Sequence, residues 1–134
     1  MMRFVSDATW AILTLWQEAR GETYEGKLAV AEVIRNRTAR KFQSAGTVAS
    51  TVLARYQFSG WNTTDPNRIP AALLDDQDMQ VKECARAWAE TLRGSNITSG
   101  AVFYYNPRGV LAPPAWAIAT NAVAVIGGHH FFKG

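Results

Sequence analysis

A carboxylate at the corner between two helices constrains this chain more than any other feature. Trp16-Gln17-Glu18-Ala19-Arg20-Gly21-Glu22 closes one helical pattern, and a second, containing Ala29-Val30-Ala31-Glu32-Val33-Ile34-Arg35-Asn36-Arg37, starts within a few residues. Two helices joined so tightly must pack against each other, and Glu18, in the last turn of the first, is fixed by both. A side chain held this way can open into a cleft. The negative end of the helix dipole disfavours an ionised carboxylate there, and burial among Trp10, Leu15 and Trp16 acts in the same direction. Both effects favour the protonated form near neutral pH, which general acid catalysis needs. An ion pair between Glu18 or Glu22 and an arginine such as Arg20 is the plain structural alternative.

The chain has 134 residues, which predicts one domain over 1–134 with a single core. One cysteine, Cys84, excludes an internal disulfide framework. No apolar run reaches spanning length, so stable membrane insertion is not expected. Met1-Met2-Arg3-Phe4 leads into a helix start with no apolar leader, so no signal peptide is expected, and a target outside the cytoplasm would require another delivery route. The net charge of +3 and pI near 9.3 favour acidic polymers in general. The basic residues are scattered, with Arg35, Arg37, Arg40 and Lys41 the densest group, so nucleic acid is not an expected partner. Those four read most simply as a solvated helix face.

Capping and periodicity set out the elements. Ser6 or Asp7 caps a predicted helix from Ala8 to about Arg20, stopped by Gly21, whose apolar residues cover enough of its circumference to make it central. A second helix runs from Tyr24 to about Lys41 with Leu28, Val30, Ala31, Val33 and Ile34 as its buried stripe, and Gly26 implies a close approach of another backbone. A short helix fits Thr47 to Tyr56, a loop Ser59 to Ile69, and a long helix Pro70 to Arg93 with Val81, Cys84, Ala85, Trp88 and Leu92 on its core face. Cys84 in that stripe is a small buried apolar residue. Ala101 to Asn106 is extended and ended by Pro107. Val123 to Ile126, Gly127-Gly128 and His129 to Phe132 form a terminal hairpin. The fold class is mainly α, an α+β helical domain with a small C-terminal β element.

Few chemistries suit the remaining residues. No phosphate loop or zinc-protease helix is present, and His129-His130 on a strand point to opposite faces, so neither cofactor nor metal is expected. Five Trp, four Tyr and six Phe are a heavy aromatic load. Phe58, Trp61, Phe103 to Tyr105 and Trp116 fall in predicted loops or extended segments, where aromatic faces can stack on sugar rings.

Taken together, the motifs closely resemble the SleB-type cell-wall hydrolases, the group that includes spore cortex-lytic enzymes. The matching features are Glu18-Ala19-Arg20-Gly21-Glu22, Gly26 with Ala29-Val30-Ala31, Asn36-Arg37, Gln57-Phe58-Ser59 with Trp61, and the segment from Ala101 that ends Tyr104-Tyr105-Asn106-Pro107. Trp116 and the closing Ile126-Gly127-x-His129-x-Phe131 complete the set, in order from about residue 8 to residue 132. The resemblance implies a lysozyme-like fold similar to goose-type lysozyme and the lytic transglycosylases. It implies peptidoglycan glycan strands as partner and cleavage of the β-1,4 bond between N-acetylmuramic acid and N-acetylglucosamine. The catalytic glutamate falls on Glu18, and Tyr104, or alternatively Tyr105, is expected to orient it. Gln57, Phe58, Trp61, Asn106 and His129 are expected to line the substrate site, and Glu22 to organise the corner by accepting backbone or arginine hydrogen bonds. Thr23 stands where the family often has proline. Neither the signal peptide nor the binding domain common in bacterial members is expected here, which suits a phage lysis or virion-associated enzyme, or a cytoplasmic product exported by a holin-like route; a monomer is expected.

Most glycosidases pair two carboxylates, whereas a lytic transglycosylase uses one. Glu18 has the clearest motif support, so the one-acid route is expected. Glu22, Glu25 and Asp65 are the candidates if a hydrolytic muramidase needs a second. A wall-binding module without catalysis is the rival of another class.

Overall fold

A computed structural model of the chain describes residues 6–54, 58, 61 and 78–134. Helix α1 spans Asp7–Ala19, α2 Tyr24–Arg40, α3 Val48–Val52 and α4 Met79–Leu92. Strands β1 (Phe103–Tyr105), β2 (Ala122–Ile126) and β3 (His129–Phe132) follow. Among the described residues, no helix is long and apolar enough to cross a membrane.

Each helix begins at a side-chain cap. The Ser6 hydroxyl accepts from the Thr9 amide, Thr23 from Gly26, Thr47 from Ser50, and Asp78 from Gln80 and Val81. Thr23 therefore starts α2 by capping. Asp78 also revises the long-helix expectation: its extended backbone (φ −61°, ψ 133°) and carboxylate cap start α4 at Met79, not at Pro70. Pro70 itself and the predicted loop 59–69 lie outside the described residues, apart from Trp61. Helix α1 ends with Arg20 still right-handed, one residue separates Gly21 from the Thr23 cap of α2, and Gly21 has no positive φ. The left-handed cap falls on Lys41 (φ 54°), which closes α2.

The central helix is α2, not α1 as its apolar circumference suggests. Every residue from Gly26 to Ile34 is buried. Helices α1 and α4 pack against α2, and α3 fits against α1 and α2. The polar residues of α2 are buried because each finds a distant partner. Lys27, 1% exposed, donates to the Glu22 carbonyl (3.0 Å) and the Glu83 carboxylate (2.7 Å), tying the corner to α4. Arg37 Nε donates to Val102 O (2.6 Å) and Asn36 Nδ2 to Ala101 O (2.9 Å), so the Asn36-Arg37 motif anchors the chain entering β1. Arg35 bonds the carbonyls of Thr91 and Ser95 at the end of α4. The expected solvated basic face is thus reduced to Arg40 and Lys41; Arg37 is buried and Arg35 half-buried.

On α4 the buried stripe is Val81, Cys84, Ala87, Trp88 and Thr91, while Leu92 is exposed. Burial pushes the Cys84 thiol up to about 12, so it is an inert core residue. The sheet order is β1-β3-β2, both pairs antiparallel, with Tyr104 opposite Phe131 and Tyr105 opposite His130. Alternation along the strands turns Tyr104, His129 and Phe131 toward one another on one face. Tyr105, His130 and Phe132 meet on the other, where Trp116 stacks on Phe103 at 4.5 Å and covers Phe132.

Candidate active site

The α1–α2 corner and the β2–β3 turn face each other across an open cavity of about 770 Å³, lined by Glu18, Ala19, Gly21 and Glu22 on one side and by Asn106 to Arg108 and Gly127 to His130 on the other. Glu18 reaches it from the last turn of α1, half-buried as its position predicts. The space beside Gly21 is open: a Cβ there would meet nothing within 4 Å. Arg20, beside it, turns its guanidinium over the Trp16 ring (4.0 Å) and donates to the Trp16 and Gln17 carbonyls, satisfying the end of α1.

Of the two tyrosines left open by the sequence, the geometry favours Tyr104. Its hydroxyl donates to Glu18 Oε2 at 3.4 Å, a loose contact of the kind that tightens when substrate binds. Burial, followed by the neighbouring Glu18 charge, holds the phenol well above its ordinary value, so Tyr104 stays a donor across the physiological range. Tyr105 points to the other face of the sheet, against Phe132 and Trp116.

Glu22 sits at the corner with a backbone amide and a histidine ring beside its carboxylate. The Gly128 amide lies 3.3 and 3.4 Å from its two oxygens, and His129 Nδ1 is 3.1 Å from Oε1, approaching obliquely to a hydrogen-bond direction. Burial pushes the His129 imidazole below its ordinary value, against the opposing pull of Glu22, so the ring is neutral at pH 7.

Other expected lining residues divide. Asn106 and His129 are on the wall. Phe58 is not: it is 1% exposed in the core, with the Arg37 guanidinium 5.3 Å from its ring. Trp61 is half-buried against Trp10 (5.2 Å) and donates its indole N–H to Thr14 (2.8 Å), away from the lining. Their loop positions suggested exposure, but the long-range contacts of α1 and α2 claim both rings. Gln57 lies outside the described residues, as does Asp65. Glu25 is exposed at the start of α2 and does not line this cavity. Pro107, Arg108 and His130 are wall residues that carried no signal beyond proximity to Asn106 and His129. No cluster of His, Cys, Asp and Glu among the described residues could hold a metal ion.

A half-buried glutamate at a helix corner thus faces a tyrosine hydroxyl and a small sheet across the cavity. The model for the cell wall hydrolase family matches residues 21–132, and the chain belongs to that family. Glu18 lies three residues before that span, but solved structures extend the likeness across it. The catalytic domain of the germination-specific lytic transglycosylase SleB from Bacillus anthracis is 26% identical and superposes with a TM-score of 0.74, over 99% of this chain and all of that one. The catalytic domain of the Bacillus cereus SleB protein, 24% identical, shares the fold at a TM-score of 0.76, over 99% of this chain and 95% of its own. No curated protein sequence matches the chain significantly.

Proposed function

We propose that this domain degrades peptidoglycan by cleaving the β-1,4 bond between N-acetylmuramic acid and N-acetylglucosamine as a lytic transglycosylase, with Glu18 as the acid and then the base. The observation that carries this reading is Glu18 on the cavity wall with the Tyr104 hydroxyl directed at Oε2. The family membership and the printed activity of the Bacillus anthracis relative support it.

In the first step the Glu18 carboxyl donates its proton to the bridging oxygen, and the bond from muramic C1 to that oxygen breaks. The N-acetylglucosamine chain leaves with a free hydroxyl, and C1 becomes an oxocarbenium centre. The Glu18 carboxylate then takes the proton of the muramic C6 hydroxyl, whose oxygen bonds C1 to close a 1,6-anhydro ring. Glu18 ends protonated and no water is consumed. Tyr104, held as an O–H donor, steadies the carboxylate between the two transfers.

Catalysis is separated from mere wall binding by incubating the protein with purified sacculi. The expected result is a fall in turbidity with soluble muropeptides released. Retention on sacculi with no release would favour the binding-module reading.

A further inference from the structure

Three glycines converge on one carboxylate. A Cβ on Gly26 would stand 2.9 Å from Glu22 Cβ, one on Gly127 2.9 Å from Oε2, and one on Gly128 3.2 Å from Oε1. Gly127 also has φ 57°, so two reasons favour glycine there. The close approach that Gly26 implied is thus to the Glu22 side chain and not to a backbone. Space on α2 and on the β2–β3 turn is given up for this side chain, although it contributes nothing to the apolar core. From Glu22 the contacts run toward the reacting acid. The His129 ring, beside Glu22 at 3.1 Å, meets the Tyr104 ring edge-on with centroids 5.0 Å apart, and Tyr104 reaches Glu18.

Resting on the function proposed above, we propose that Glu22 is a positioning residue and not the second reacting carboxylate of a muramidase. It clamps the Gly127-Gly128 turn, which sets His129 against Tyr104 and so holds Tyr104 on Glu18. Glu22 lines the same cavity as Glu18, and position alone would suit it to activate water. Its oxygens, however, are engaged with the Gly128 amide and its side chain is only 20% exposed. A base must offer a lone pair to the attacking water; here the Gly128 amide and the His129 ring already crowd the carboxylate. The Gly127-Gly128 turn joins paired strands, with Ile126 opposite His129, and Glu22 ties it in addition to the α1–α2 corner. Misplacement of a reacting group by about 1 Å can cost on the order of 10²-fold in rate.

Steady-state kinetics of Glu22→Gln and Glu22→Ala on soluble peptidoglycan strands, with melting temperatures alongside, test the assignment. Glutamine keeps an oxygen for the Gly128 amide, so Glu22→Gln is expected to retain most of the wild-type kcat. Glu22→Ala releases the turn and is expected to lower kcat roughly 10- to 100-fold, with KM changed less than about threefold. Should Glu22→Ala fail to fold, His129→Gln takes its place, with a fall in kcat at unchanged KM expected. A Glu22→Gln enzyme as inactive as Glu18→Gln would make Glu22 a reacting carboxylate and overturn the proposal. So would a rise in KM with kcat intact, which would make Glu22 only a binding residue. If Glu18→Gln itself stays active, the function proposed above fails, whatever the Glu22 variants do.

Discussion

Glu18→Gln will lower the rate of peptidoglycan cleavage by on the order of 10²–10⁴ while leaving the fold intact. Glutamine matches the shape of glutamate and keeps an oxygen within reach of the Tyr104 hydroxyl, so the packing at the end of α1 is preserved. What it loses is the transferable proton. In a one-acid mechanism the same group acts twice, so neither half of the reaction can be rescued by a neighbour. The corresponding rise in barrier is about 3–5 kcal/mol. The check is release of soluble muropeptides from purified sacculi by both proteins at equal concentration, with circular dichroism confirming equal folding. A variant retaining a tenth or more of the activity would remove Glu18 from the centre of the mechanism.

Glu32→Ala will destabilise the fold by about 3–5 kcal/mol, the range for an uncompensated break in a buried charged network. Glu32 is fully buried in α2. It accepts from the Ser95 hydroxyl (2.6 Å), the Ile97 amide (2.9 Å), and the Thr98 amide (2.9 Å) and hydroxyl (2.7 Å). Alanine leaves a cavity and strands these donors, two of them backbone amides. For a domain of this size the loss corresponds to a fall of about 10–20 °C in melting temperature. Burial alone would raise the Glu32 carboxyl, but the hydrogen bonds from Ser95, Thr98 and Ile97 outweigh it and hold the group below its ordinary value of 4.5. A carboxylate depressed on folding contributes stability above its unfolded value and loses it as pH falls through the folded one. The gap between wild type and Glu32→Ala is therefore expected to narrow below about pH 4.5. Urea unfolding at pH 7 and at pH 3.5 measures both effects. A loss under about 1 kcal/mol at pH 7 would mean that the 95–98 segment finds other partners.

The consequence of Glu32 extends to the site. The segment it secures leads directly through Ala101 and Val102, bound by Asn36 and Arg37, into the strand that carries Tyr104. One face of α2 thus fixes the position of β1, while the start of α2 and the end of α1 fix Glu18. The central helix connects the two halves of the candidate site through polar contacts as much as through its apolar stripe.

Local signals made part of this legible in the sequence. Ser6, the Glu18 corner and the Gly127-Gly128 hairpin are written in short-range patterns of capping residues, helical spacing and turn glycines, and each forms where those patterns place it. The role of α2 was hidden because its buried polar residues look like a solvated face until their partners, from 56 to 66 positions away, are known. Phe58 and Trp61 were misplaced for the same reason: an aromatic ring in an irregular segment is equally suited to core and cleft, and tertiary contacts decide. Asp78 shows the converse, a cap whose local meaning was masked by the proline eight residues before it.

The most direct test of the central claim is the mass of the muropeptides released from purified sacculi by the wild-type enzyme. Products ending in 1,6-anhydromuramic acid, and absent with Glu18→Gln, are the predicted result. Reducing muramic ends, heavier by one water, would contradict the one-acid route and require a second carboxylate to activate water.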